Sequence, residues 1–188
     1  MFKYIENVFP EEVIDSLNEK YCAVKDDDLS SHDMWINVMT LDRTLPENHI
    51  QNFSMQDRIK VLALIHNDPK SPFYKDNRIK HADISAQKIT VGSHIPKHVD
   101  RDVSASLTVF LNKEYDTDNG GEAIWWENET TEESYSVIPK YNCGIWATYE
   151  DGVLMPHAVS PVNVHTRTTI QVFVWQKNMP PGKVKRSY

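Results

Sequence analysis

The chain contains eight histidines, and three of them open a His-x-Asp triplet: His66-Asn67-Asp68, His81-Ala82-Asp83 and His98-Val99-Asp100. With 15 Asp in 188 residues, chance alone supplies roughly 0.6 such triplets, so the surroundings have to choose among them. His66 closes an apolar periodic run and Asp68 precedes Pro69, which reads as a helix end and a turn. His81 opens an extended run, with no turn after it to present a pair of side chains to a cavity. His98 and Asp100 lie between a strand-like run that ends at Gly92 and a long alternating run that begins at Val103. In extended backbone, residues i and i+2 point the same way, so these two side chains can share one ion.

A third ligand is then required. His157 lies 57 positions beyond Asp100 and leads into the extended stretch Ala158-Val159-Ser160, far enough along for several hairpins to return it. His165 is the rival, but it stands two residues before Arg167 and reads as a hairpin residue. Two imidazoles and one carboxylate leave three adjacent metal positions open. That suits a non-haem Fe(II) taking a chelating cosubstrate and dioxygen together, whereas zinc favours four tetrahedral ligands. Arg167 comes ten residues after His157 and opens the last extended run, Arg167 to Trp175. A guanidinium inside a barrel needs an anion, and its fork fits a carboxylate. Thr169, on the same strand face, can add a hydroxyl.

His-x-Asp, a distant His and an Arg about ten residues later resemble the signature of the Fe(II)/2-oxoglutarate-dependent dioxygenases. The likeness extends over roughly residues 82 to 176, through Gly92-Ser93-His94-Ile95-Pro96-Lys97-His98-Val99-Asp100, Leu107-Thr108-Val109-Phe110-Leu111-Asn112 and Gly120-Gly121-Glu122. It continues in Val137-Ile138-Pro139-Lys140 and Pro156-His157-Ala158-Val159-Ser160-Pro161-Val162. These segments are similar to the prolyl-hydroxylase-like branch and related small amino-acid and peptide hydroxylases. Glu6-Asn7-Val8-Phe9-Pro10-Glu11-Glu12 resembles the opening before that family's first helix. The resemblance implies a double-stranded β-helix (jelly-roll) core and iron held by His98, Asp100 and His157. It implies 2-oxoglutarate and dioxygen as cosubstrates, with Arg167 on the far carboxylate and ascorbate as a reductant. Asp100 at its position also argues against the halogenating variants. One departure is visible: many prolyl hydroxylases carry a cosubstrate-binding Tyr on the strand before His-x-Asp. This chain has Lys88-Ile89-Thr90-Val91 there, which leaves the second contact unassigned.

The elements that must position these residues differ between the two halves. Pro10 to Tyr21 reads as a helix, with Glu11 and Glu12 at its start and Val13, Ile14, Leu17 and Tyr21 on one face. A second helix begins at Ser54, capped with Asp57 three residues on, runs through Ile59, Leu62 and Ile65, and stops at Asn67-Asp68-Pro69. Lys25 to Ser31 reads as an acidic loop. From about residue 82 short extended runs take over: Ser85–Val91, Val103–Leu111, Glu122–Glu127, Tyr135–Ile138, Gly144–Tyr149 and Thr168–Gln176. Breaks fall at Asp118-Asn119-Gly120-Gly121, Pro139, Asp151-Gly152 and Pro161. So many strands without intervening helices predict an antiparallel sandwich or barrel, mainly β, with N-terminal helices laid against it. A single domain is expected: residues 1–81 as helical and loop support, 82–176 as the barrel and 177–188 as a tail. In the second run Ser104, Ser106 and Thr108 share a face. They either line the interior, where Thr108 would join Arg167 and Thr169 at the cosubstrate, or face water. Trp125 and Trp126 must point to opposite faces.

Composition narrows the function classes. A formal net charge of −7 argues against phosphate-backbone binding and makes nucleic acid an unattractive partner. Six glycines form no phosphate loop of the GxGxxG or Walker type. Cys22 and Cys143 cannot make a disulfide framework, so a reducing, cytoplasmic setting is the default. No apolar run approaches the roughly 20 residues of a membrane span, and Met1 to Glu6 does not read as a signal peptide. The expected activity is hydroxylation of a C–H bond in an amino acid, peptidyl residue or similar small substrate, with release of succinate and carbon dioxide. The rivals are a cupin-type metal dioxygenase without 2-oxoglutarate and a non-catalytic metal-binding jelly roll. Loops within Trp35–Pro46 and Ser71–Ile79 would shape the substrate pocket and carry no readable motif. Oligomeric state is likewise not encoded in any readable pattern.

Overall fold

The structure is a computed structural model, and it describes residues 2–25, 36–38, 48–71, 73–100, 103–149 and 155–175. Helix α1 spans Glu11–Cys22; acidic Glu11 and Glu12 in its first turn and Lys20 in its last complement the helix dipole. Its expected inner face, Val13, Ile14, Leu17 and Tyr21, is buried. Helix α2 spans Met55–Asn67, and the Ser54 hydroxyl accepts the Asp57 backbone N–H at 3.2 Å. Its buried residues are Val61 and Ile65, with Leu62 packed beside them, whereas Ile59 is 61% exposed. The expectation for Ile59 is therefore corrected. At 3.6 residues per turn, a position two before Val61 falls on the far side of the helix.

Eleven strands are described: β1 (Phe2–Glu6), β2 (Ile36–Val38), β3 (Asn48–Asn52), β4 (Asp83–Ile89), β5 (Ile95–His98), β6 (Val103–Phe110), β7 (Ala123–Trp126), β8 (Ser134–Val137), β9 (Cys143–Thr148), β10 (His157–Val159) and β11 (Arg167–Trp175). They form a seven-stranded sheet in the order β1-β9-β6-β11-β4-β3-β2 and a four-stranded sheet in the order β5-β10-β7-β8. Every strand pairing is antiparallel. Among the described residues the chain is mainly β with two α-helices, and apart from β5 its strands after residue 82 fall within one or two residues of the expected runs.

Alternation along each strand divides the large sheet into two faces. Ile84, Ala86, Ala105, Leu107, Val109, Trp146, Ile170, Val172 and Val174 pack with α1 and α2. On the opposite face Phe110, Cys143, Ile145 and Ala147 pack with Ala123 and Trp125 of the small sheet, and Ile89 packs with Val159 and Val162. Ser106 and Thr108 lie on this second face with Phe110, so the polar stripe of β6 looks toward the small sheet rather than into water.

Four strands have no counterpart in the expected runs. β1 and β3 sit in the N-terminal region read as helix and loop, yet extend the large sheet from both sides. β2 adds a further three residues there. β5 contains Pro96, which has no N–H to give and is tolerated because β5 lies at a sheet edge. Asp26–Ser31, Arg101, Asp102, Asp151, Gly152 and residues 177–188 lie outside the described residues, as does most of Trp35–Pro46. Cys22 and Cys143 are both free thiols. No described helix is long and apolar enough to cross a membrane.

Candidate active site

The three expected ligands come together because two short strands of the small sheet lie side by side. β10 pairs with β5 so that His157 stands directly across from His98, and with β7 so that His157 stands across from Trp125. The imidazole rings of His98 and His157 are 4.2 Å apart. Each ring donates its Nδ1 hydrogen to a backbone carbonyl two residues earlier: His98 to Pro96 at 2.9 Å and His157 to Met155 at 3.2 Å. A carbonyl can only accept, so the hydrogen sits on Nδ1 in both rings and the Nε2 lone pairs remain for a metal. Both Nε2 atoms face Asp100, at 3.9 Å from Oδ1 for His98 and 3.4 Å from Oδ2 for His157. One donor atom from each of the three residues lies within 4.8 Å of the others, a spacing that can hold a metal ion.

Electrostatics favour the ligating forms. Burial, helped by neighbouring His157, holds His98 below the ordinary histidine pKa. Burial pushes Asp100 upward, but the facing His157 and His98 rings, in their protonated forms, outweigh it, and the carboxyl stays below its usual range. Tyr149 at the end of β9 is pushed upward by burial and by the charge of Asp100, and its hydroxyl lies 3.4 Å from the Ser106 hydroxyl. Trp125 stacks on His157 at 4.4 Å with 17° between the planes, and Phe2 of β1 stacks on Trp125 at 5.7 Å. Trp126 points the other way, with the Lys97 ammonium over its ring.

A second cluster surrounds Arg167, which is only 2% exposed. Asn112, just past β6, pins the start of β11 by accepting the Thr168 N–H at 2.7 Å and donating to the Thr166 carbonyl at 2.9 Å. The guanidinium lies 5.2 Å from the Phe110 ring centre, and its Nε and Nη1 have no hydrogen-bond partner. Burial pushes its pKa down to about 10 against the opposing influence of Tyr115. No described carboxylate forms an ion pair with it. Thr169 is fully buried and accepts the Gln171 Nε2 hydrogen at 3.1 Å, while Thr108 donates to Gln171 Oε1 at 2.9 Å. Gln171 thus joins the two threonines, and Thr169 keeps its own hydroxyl hydrogen to give.

The other candidates fall away from this centre. His66 belongs to the last turn of α2, and His165 is exposed in the approach to β11. His81 ends a 3-10 turn at Asn77–His81 rather than opening a strand, because β4 begins only at Asp83. Two residues of the site are not marked out by the sequence. Alternation sets Trp125 and Trp126 on opposite faces with no link to a ligand, and Tyr115 carries no signal beyond being a tyrosine in a loop.

No protein-family model matches the chain, and no curated protein matches it. Solved structures do share the fold. A prolyl-4-hydroxylase from Pseudomonas putida superimposes with a TM-score of 0.71 at 13% identity, over 94% of this chain and 92% of that one. A Trichoplax adhaerens prolyl hydroxylase, solved with a hypoxia-inducible-factor oxygen-degradation-domain peptide, gives 0.65 at 16% identity over 93% and 83%. An oxidoreductase of the 2OG-Fe(II) oxygenase family from Burkholderia pseudomallei gives 0.65 at 14% identity over 92% and 84%. The chain therefore has the prolyl-hydroxylase-like fold of the 2OG-Fe(II) oxygenases that its motifs resemble.

Proposed function

We propose that the protein is an Fe(II)- and 2-oxoglutarate-dependent dioxygenase that hydroxylates a C–H bond of an amino acid, peptidyl residue or similar small substrate. The observation that carries this reading is the pairing of a His-Asp-His cluster with a fully buried guanidinium that has unpaired N–H groups. A double-stranded β-helix is supported by the way β4 to β11 divide between the sheets, with β4, β6, β9 and β11 in one and β5, β7, β8 and β10 in the other.

His98, Asp100 and His157 would hold the iron. When bound there, iron supplies the redox chemistry that couples conversion of 2-oxoglutarate to succinate and carbon dioxide with transfer of one oxygen atom of dioxygen into the substrate C–H bond. The chain's own share is orientation, charge and exclusion of water. The carbonyls of Pro96 and Met155 fix the histidine tautomers, and Asp100 brings the compensating negative charge. Arg167 would anchor the far carboxylate of 2-oxoglutarate; a buried cation gains most from such a partner and suffers most without one. Ile89, Phe110, Ile145 and Val159 supply apolar surface between the sheets. A peptidyl substrate draws support from the Trichoplax structure, which contains a peptide. A cytoplasmic setting rests on the two free cysteines.

Protein supplied with Fe(II), ascorbate, dioxygen and 2-oxoglutarate should release succinate, and His157→Ala should abolish that release. A panel of amino acids and peptides should identify substrates by faster succinate release and a gain of one oxygen atom. Turnover that continues undiminished without 2-oxoglutarate would point to a cupin-type dioxygenase. Metal binding with no succinate under any condition would point to a non-catalytic jelly roll.

A further inference from the structure

Arg167 has apolar neighbours on the strand beside it and at the next step along. Ile89 of β4 stands directly across from Arg167, and Phe110 of β6 stands across from Thr169. Lys88, the polar residue next to Ile89, turns to the helix side, where its ammonium reaches the carbonyls of Cys22 and Val24. β4 therefore offers no hydroxyl beside the guanidinium. The loop after β6 does. Tyr115 has a buried hydroxyl with no hydrogen-bond partner, and its charge interaction with Arg167 is felt by both groups. A buried tyrosine hydroxyl ordinarily finds a partner, because an unpaired one loses its hydration for nothing.

Gly121 locates the two groups relative to each other. A Cβ built on Gly121 would collide with the Tyr115 hydroxyl, lie 3.1 Å from Arg167 Cδ and lie 3.2 Å from Val162 Cγ2. Tyr115 and Arg167 thus converge beside Gly121, and the Tyr115 hydroxyl occupies the space that a side chain at residue 121 would take. Its φ of +64° gives a second reason for glycine there. Burial pushes the phenol up to about 12, so it is neutral and carries a hydrogen to give near neutral pH. Nε–H, Nη1–H and O–H are three unpaired donors on these two converging side chains. A carboxylate, with two oxygens and about four lone-pair sites, matches that set; a neutral group bearing its own donors does not.

We infer that Tyr115 is the second residue, with Arg167, to bind the far carboxylate of the 2-oxo diacid, through its hydroxyl, and that Gly121 gives that hydroxyl its room. The inference rests on the reading given under Proposed function, and it fills the contact that the strand before His98 lacks.

The test uses Fe(II)-loaded protein without dioxygen, titrated calorimetrically with 2-oxoglutarate and separately with pyruvate. Pyruvate has the same 2-oxo acid head and no far carboxylate. Tyr115→Phe should weaken 2-oxoglutarate about tenfold or more, the usual loss for a hydrogen bond to a charged group. Fe(II) and pyruvate affinities should not change, and the ligand-free melting temperature should hold or rise, because the lost hydroxyl had no partner. Gly121→Ala should show the same selective loss. Unchanged 2-oxoglutarate affinity in Tyr115→Phe, with affinity lost in Arg167→Ala, overturns the role of Tyr115 and leaves the proposed function standing. A lowered ligand-free melting temperature with unchanged affinity marks the hydroxyl as structural and also overturns it. If Arg167→Ala too binds 2-oxoglutarate as well as the wild type does, the carboxylate seat itself falls and the proposed function with it.

Discussion

Each candidate ligand histidine is aimed by a carbonyl two residues before it, a device that costs no additional side chain. His157 has a further constraint, the indole of Trp125 lying flat against its ring. Removing that wall leaves the tautomer intact but frees the ring to swing. Trp125→Leu should therefore lower metal affinity by about tenfold, the lower end of what losing an outer support of a metal ligand costs. Trp126→Leu, on the opposite face of the same strand, should leave affinity unchanged; a metal titration of both variants decides it. Arg167 depends on a different kind of support. Asn112 brackets it through the backbone on both sides, which fixes where the side chain leaves the strand.

The elements behind the large sheet are held by short polar contacts as well as by apolar packing. Asp57 receives hydrogen bonds from the Ser54 hydroxyl and from the Tyr21 hydroxyl of α1, each at 2.8 Å, and pairs with Lys20. Burial pushes its pKa up, but the bonds from Lys20, Ser54 and Tyr21 outweigh that, and the carboxyl stays below its ordinary value. A carboxyl with a depressed folded-state pKa adds stability above its unfolded value, near ~3.9, and loses it as pH falls through the folded value. Asp57→Asn should cost about 1–2 kcal/mol near neutral pH, and the gap to the wild type should close as acid protonates Asp57. Urea unfolding at several pH values measures it. Elements with a strong internal pattern were legible in the sequence because the pattern is local: α1 carries its acidic first turn and apolar face, and α2 its Ser54 cap. β1, β2, β3 and β5 have no such pattern. They are three to five residues long, with polar residues or a proline inside, and become strands only through the neighbours they pair with.

At the scale of the molecule, the metal cluster and the arginine were legible because their residue types are rarely buried without a task. Their spacing along the chain also matched the family signature that they resemble. Tyr115 was not legible, because a loop tyrosine acquires meaning only once the approach to Gly121 and Arg167 is known. Trp125 was hidden for a similar reason: alternation sets Trp125 and Trp126 on opposite faces and says nothing of what the inward one meets. What it meets is a row of rings, Phe2, Trp125, His157 and His98, running from an edge strand of one sheet to the candidate ligands on the other. An indole in face contact with a candidate ligand imidazole is a built-in optical reporter. A paramagnetic ion seated at His157 should quench ultraviolet emission from Trp125, and the quenching should vanish in Trp125→Leu, so filling of the centre can be followed by light alone, without turnover.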